Sequence, residues 1–436
     1  MDATALKQLQ IGNGLGRFCR KIETLLSRSY SGLGASKRTC TPKPQTVVMV
    51  PARDRALSLA FSGFLAMAAT MGIGRFVYTP ILPFMTQALG LSESQAGLIA
   101  SANFLGYLLG ALGAASAHLG GGRRRWLLAG LAVSALSTGA MGLSPSMAAF
   151  LALRFIGGVA SAFVMVFASA LVLDRLAPGR SGLAALHFAG TGAGIAFSAL
   201  LIVGLAAAGL DWRVQWLASG VASLAALSAA WRMVPDAPEA PLAVAEAGRS
   251  DRRLTALVLA FGLFGFGYVI TATFISTIAR ATPAESLVWI AVGLAAVPSV
   301  ALWAAIGQRI GNEAAFALAC LTEAAGVALS VLALGAAGIL FSAVLLGGTM
   351  MGLVTLGFIE ARRLTRGDPR RSLALMSAAF ALGQMIGPSF AGLVYDIAGS
   401  FRLPSLVAAV ALVVAAGIVR LTASSETLRS FFRAVS

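Results

Sequence analysis

The chain has little of what metal sites and disulfide frameworks are built from: two histidines and three cysteines in 436 residues. His118 and His187 are far apart, Cys19 and Cys40 lie near the N-terminus, and Cys320 falls in an apolar run, so no metal or disulfide-stapled fold is expected. Lysine is nearly as scarce. All four (Lys7, Lys21, Lys37, Lys43) precede the first apolar run, and none completes the GxxxxGK[ST] spacing of a phosphate loop, which excludes an ATPase of its own. The glycines of "GNGLGR" and "GTGAG" follow no strand and so do not read as a dinucleotide fingerprint. No enzymatic site and no cofactor are expected.

What is present is apolar. Hydrophobic residues make up 58% of the chain and charged ones 11%, more apolar surface than one water-soluble core buries. The net charge of +16 would suit a nucleic-acid binder, but the charges punctuate long apolar stretches instead of gathering on one face, so no nucleic-acid partner is expected. Twelve helices are predicted, over 56–83, 96–117, 126–143, 148–172, 182–207, 214–234, 254–279, 286–307, 314–333, 339–361, 372–395 and 403–423. Each is about as long as a helix rising 1.5 Å per residue needs to cross roughly 30 Å of hydrocarbon. Of the 33 Lys and Arg, 28 fall in the two tails, the five inner loops or the helix turns beside them, three (Arg213, Arg280, Arg402) in outer loops, and two (Arg75, Arg154) within helices. That asymmetry predicts both termini in the cytoplasm, with the protein in the cytoplasmic (inner) membrane.

The expected organisation is a basic, disordered tail over 1–54, with Met49 as an alternative start, a six-helix bundle over 55–234, a polar linker over 235–253, a second bundle over 254–423, and a short tail over 424–436. Internal repetition supports the two bundles. An offset of 193 pairs "GIGRFVYTPIL" with "GFGYVITATFI" and also "GTGAGIAFSA" with "GQMIGPSFAG", so helices 1 and 7 correspond, as do 5 and 11.

These segments resemble the major facilitator superfamily over residues 55–423. "GIGRFVYTPILPFM", "LGLSESQAGLIASANFLGYLLGAL" and "GQMIGPSFAGLVYD" resemble its YbfB/YjiJ branch. The superfamily's inner-loop motif is half kept: Arg123, Arg124 and Arg125 remain in the first half without the aspartate, and Arg309 and Gly311 in the second, with Gln308 in the acidic place. "RFIGGVASA" is similar to a helix-4 motif of exporters. The resemblance implies an all-α membrane protein of two pseudo-symmetric six-helix bundles, a monomer that moves a small solute through the bilayer by alternating access. Helices 1, 4, 7 and 10 would line the cavity, with 2, 5, 8 and 11 between the halves.

On that frame the charges within helices become informative. Arg75 and Arg154 fall in the outer halves of helices 1 and 4, and helices 1–6 contain no acid save Asp174 at an inner boundary. An Arg at the centre of a membrane helix costs at least ~2.5 kcal/mol, so each should face water, a partner or a ligand. A carboxylate or phosphate fits the guanidinium fork, whereas Arg154 packed on neighbouring helix carbonyls and Arg75 snorkelling outward are the structural alternatives. Tyr78, Asn103 and Tyr107 from the first half, with Tyr268 (the repeat partner of Arg75) and Thr271 from the second, are the other candidate substrate ligands. Glu323, on a face with Ala319, Gly326 and Ser330, and His187 are candidates for a coupling proton. Gly190, Gly194, Gln384, Gly387 and Pro388 read as gating or half-to-half packing positions. Glu360 is expected to pair with Arg362 or Arg363, and Asp211 and Asp396 to lie in outer loops. Three functions stay open: proton-coupled transport of an anionic metabolite, export of drug-like amphiphiles, and a non-transporting sensor or assembly partner on the same fold.

Overall fold

The structure, a computed structural model, describes residues 52–114, 122–173, 181–233, 252–280, 282–333, 335–365 and 369–435. Residues 52–56, 173, 181–182, 233, 369–371 and 423–435 are described by their backbone alone. All but the last three residues of the expected tail, Met49, His118, Asp174 and nearly all of the linker lie outside the described residues.

The described chain is helical throughout. The first span, α1, has three pieces: Ala52–Met67, a π-helix over Ala68–Arg75, and Tyr78–Leu89. There follow α2 (Glu93–Ala114), α3 (Arg123–Ala140), α4 (Met147–Leu173), α5 (Ser181–Ala207), α6 (Trp212–Met233), α7 (Arg252–Ala279), α8 (Glu285–Ile310), α9 (Asn312–Leu332), α10 (Ala336–Leu364), α11 (Pro369–Ala398) and α12 (Arg402–Val435). Eleven of the twelve are long and apolar enough to cross a membrane. The exception is α3, whose 18 residues begin with three arginines, so that only its remainder is apolar. Arginines in the first turn also oppose the helix dipole. Gly90 (φ 64°) ends α1, and Gly311 (φ 84°) alone turns the chain from α8 into α9, both in the left-handed region that favours glycine.

Helix pairing repeats with a shift of six. In the first half α1 packs on α5, α2 on α4, and α3 on both α4 and α6; in the second, α7 packs on α11, α8 on α10, and α9 on both α10 and α12. The halves meet through α2 with α11 and α5 with α8, pairs that the same shift exchanges. Thr79 donates to the carbonyl of Ala272, its own repeat partner 193 residues on, at 2.8 Å. Equivalent residues touch in this way only beside the axis that relates two copies.

Close backbone approach explains the paired glycines. A Cβ on Gly190 would lie 2.1 Å from the Phe64 carbonyl and one on Gly194 2.3 Å from that of Ala68, so α5 lies directly on α1. Gly383 meets Gly262 in the same way, and Gly387 packs on Val269 and Phe266. These repeat-matched glycines therefore pack helices within each half. Contact between halves falls to other residues, Gly97 against the carbonyl of Pro388 and Gly392 against that of Glu93. Without a hydrophobic drive between helices in lipid, such contacts carry much of the packing. Gly194→Val should accordingly lower the melting temperature of the purified protein in detergent, overpacking costing about 1–3 kcal/mol, while Gly204→Ala on the same helix, where an added Cβ meets nothing within 4 Å, holds or raises it.

Candidate functional site: a buried guanidinium on the cavity wall

The site begins with a fault in α1. Pro80 has no N–H to offer the Phe76 carbonyl. The amide of Thr79 turns to that carbonyl at 3.2 Å and is lost to Arg75. Just upstream the chain is in π register, as at many functional helix breaks. The carbonyls of Gly74 and Arg75 are instead bonded by Nη1 and Nη2 of Arg154, each at 3.0 Å. The Arg154 carbonyl accepts from Asn103 Nδ2 at 2.9 Å, and its guanidinium lies 5.1 Å from the Tyr78 ring centre. The Tyr78 hydroxyl donates to the Ala96 carbonyl at 2.8 Å. Arg154, Asn103 and Tyr78 thus bond to backbone and fasten the break in α1 to α2 and α4.

The Arg75 side chain is organised differently. It is 4% exposed and lines a cavity of about 610 Å³, counted with the solvent at its mouth. Its Nη2 donates to Gln384 Oε1 at 2.6 Å, the Gln384 amide donates to the Tyr268 hydroxyl, and Nη1 lies 3.9 Å from the Met71 sulfur. The cation sits 4.3 Å from the Tyr107 ring centre and 4.6 Å from that of Phe104. Nε has no hydrogen-bond partner. Among the described residues no carboxylate pairs with Arg75 or Arg154. Among the described residues the buried cation is thus held by ring faces, one amide and the neighbouring Tyr107 hydroxyl, an arrangement that stabilises charge without neutralising it.

The cavity lies to one side of Arg75. Its walls include Met67 and Met71 before Arg75 on α1, Met165 late in α4, Phe188 early in α5, Phe358 late in α10 and Phe380 early in α11. The opposite end is closed between the halves. There the two carboxylate oxygens of Asp396 accept the amides of Glu93 and Ser94 at 3.2 Å each, capping the N-terminus of α2 from α11. Arg280 donates to the Pro83 carbonyl, and Ser389 Oγ to Ser101 Oγ at 2.8 Å. Asp396, expected in a loop, stands in the last turn of α11, whereas Asp211 lies between helices and caps α6 through the Val214 amide at 3.1 Å.

Of the other expected ligands, Tyr107 and Tyr268 line the cavity beside Arg75, and Thr271 is buried away from it. Glu323 is fully buried on α9; neither carboxyl oxygen has a geometrically defined partner, Thr349 is a polar neighbour, and Tyr268 stands within electrostatic reach of both Glu323 and Arg75. His187 lies off the cavity, its Nε2 3.2 Å from Ser169 Oγ and its ring against Gly63 and Phe188. Arg123, Arg124 and Arg125 form the first turn of α3, where Arg124 donates to the Trp231 carbonyl at 3.1 Å. Arg309 is exposed near the end of α8. Glu360 pairs with Arg363 at 2.9 Å and accepts from Asn312 at 3.4 Å.

The family described as the uncharacterised MFS-type transporter YbfB matches residues 67–420. The chain belongs to that family. A curated relative, the uncharacterised MFS-type transporter YceJ of Bacillus subtilis (strain 168), is 29% identical over 225 residues, 49% of this chain and 56% of the relative, so the match spans little over half of its length. The crystal structure of a mutant of the nucleoside transporter NupG aligns with 84% of this chain and 99% of that one, with TM-score 0.65 and 13% identity, a likeness of fold. For this YbfB-like protein, sequence reasoning grouped Gln384 with packing positions and missed Phe104, Phe188 and Phe380. The repeat held a signal for the first: the offset that pairs Arg75 with Tyr268 pairs Gln384 with Thr191, which also lines the cavity.

Arg154→Met removes the donors of two buried carbonyls, each worth about 1–3 kcal/mol when orphaned. Thermal unfolding in detergent should show a clear fall in melting temperature, only partly recovered by Arg154→Lys, whose ammonium lacks the two-pronged fork. An unchanged melting temperature would mean that the break in α1 stands without Arg154.

Proposed function

We propose that this YbfB-like transporter carries a small organic anion across the cytoplasmic membrane, coupled to protons, with Arg75 as the anion's ligand. Membership of the family and the multi-pass fold support a secondary transporter. The observation that carries the anionic reading is Arg75 itself, a cation on the cavity wall with rings and an amide around it and no acid opposite. In a poorly solvated site such a charge attracts an anion far more strongly than it would in water.

The hydrogen bond from Arg75 to Gln384 also crosses from α1 to α11, so an anion that takes the guanidinium competes with a contact between the halves. Binding energy is in this way connected to their relative movement. With the N-terminus in the cytoplasm, as the Lys and Arg asymmetry supports, the Asp396 cap lies at the outer face and the cavity opens inward. Glu323 is the proposed proton carrier. Burying an ionised carboxylate without a partner is far costlier than burying the acid, and Tyr268 and Gln384 connect its neighbourhood to Arg75. A second reading, export of amphipathic compounds, draws support from the Met and Phe walls of the cavity.

Proteoliposomes given a panel of radiolabelled organic acids test the first reading. Wild type takes up at least one acid, and Arg75→Gln, reconstituted to the same level, lowers that uptake roughly tenfold to hundredfold, each charge-assisted hydrogen bond being worth about 1.5–3 kcal/mol. Uptake untouched by the substitution removes Arg75 from the site. For the proton, Glu323→Gln should abolish accumulation driven by a pH gradient and preserve counterflow exchange; retained accumulation rules Glu323 out.

A further inference from the structure

Resting on the anion reading above, we infer that the substrate is a monocarboxylate with an apolar, aromatic-sized body. The walls allow one negative charge. Among the described residues Arg75 is the one cation that lines the cavity, and no Asp, Glu, Lys or His lines it. Arg154 cannot serve as a second cation, because its two terminal nitrogens are committed to the Gly74 and Arg75 carbonyls and it does not line the cavity. A dicarboxylate would bury one charge unmatched, at a cost that low-dielectric surroundings make severe. The ammonium of a zwitterion would meet no acid. A neutral solute would leave the guanidinium as underused as it is now.

The geometry around Arg75 fits a carboxylate. Nη2 already donates to an oxygen, that of Gln384; among the described residues Nη1 reaches the Met71 sulfur, the Tyr107 hydroxyl stands beside the guanidinium, and Nε has no hydrogen-bond partner, so donor capacity remains for a second oxygen acceptor. A planar carboxylate takes two parallel N–H donors, and both forks of the guanidinium, Nη1 with Nη2 and Nε with Nη2, include Nη2, so the carboxylate takes one uncommitted donor and contends with Gln384 for Nη2. The remainder of the wall then defines the body. Besides Arg75, the described hydrogen-bonding side chains on the wall are Thr191, Thr355, Ser377, Gln384 and the hydroxyls of Tyr107 and Tyr268, the last already bonded by Gln384, a sparse set for a sugar or polyol whose every hydroxyl needs a partner. Most of the rest are Met and Phe. The Phe380 ring, on that wall, lies parallel to Tyr268 (3°, centres 5.7 Å apart), and the Tyr268 hydroxyl is already bonded by Gln384. Flat apolar groups gain most beside such faces, and methionine adapts to their outline.

The test uses the full chain, purified in detergent, with direct binding and thermal shift read for benzoate, phenylacetate and indole-3-acetate. The matched probes are benzamide (neutral), phthalate (two charges), phenylalanine (zwitterion) and acetate (no body). The expected result is that at least one aromatic monocarboxylate binds tenfold or more tightly than every matched probe, and that Phe380→Leu weakens it several-fold. Arg75→Gln should erase the preference for the acid over its amide. Gln384→Glu supplies an independent variant: it sets a carboxylate on Arg75, so anion binding should vanish while the melting temperature holds or rises. Preference for phthalate would overturn the monocarboxylate class and leave the anion reading standing. Equal binding of benzamide, with no effect of either Arg75→Gln or Gln384→Glu, overturns both. Absence of any shift from the three aromatic acids overturns the substrate class, whatever else binds.

Discussion

A buried cation with no carboxylate partner among the described residues is the constraint around which this molecule is arranged. Arg75 is tolerated because Tyr107 and Phe104 turn ring faces to it and Gln384 offers one oxygen. Rings and amides spread the charge without cancelling it. A carboxylate in the place of Gln384 would have satisfied the guanidinium more fully and left it little to offer a solute. The amide is therefore as much a part of the site as the cation.

Two arginines of the same helix pair do different work. Both stand in otherwise apolar segments, both are nearly inaccessible, and both sit near aromatic rings. One is consumed by two carbonyls, the other by a single side chain. The difference comes from the backbone: a proline four residues after Phe76 and a π-helical stretch before it leave acceptors exposed, and the nearer guanidinium fills them. One residue type both fastens the break in α1 and faces the cavity.

The architecture was legible from residues alone where it depends on length, hydropathy and repetition. The offset of 193 read from four glycine-rich segments reappears as a contact between Thr79 and Ala272 and as helix pairings that recur six places on. Arg75 announced itself as a charge in an apolar run. Arg154 did so equally, and no pattern could separate the two, because which carbonyls lack donors is decided by helix register. The glycines of α5 and α11 suggested contact between halves but join helices within each half, since one GxxxG spacing serves either use. Gln384 was overshadowed by those glycines. The capping role of Asp396 was hidden for a different reason: a carboxylate that caps another helix's amides needs no basic residue nearby to mark it.

The break in α1 carries a mechanical corollary. Arg154, Asn103 and Tyr78 tie its two ends to α2 and α4 through main-chain atoms, so the wall that bears Arg75 behaves as a single slab. The Gln384 amide is then where that slab meets α11 at the cavity, beside the tighter contacts that Thr79, Ser101 and Glu93 make with the other half.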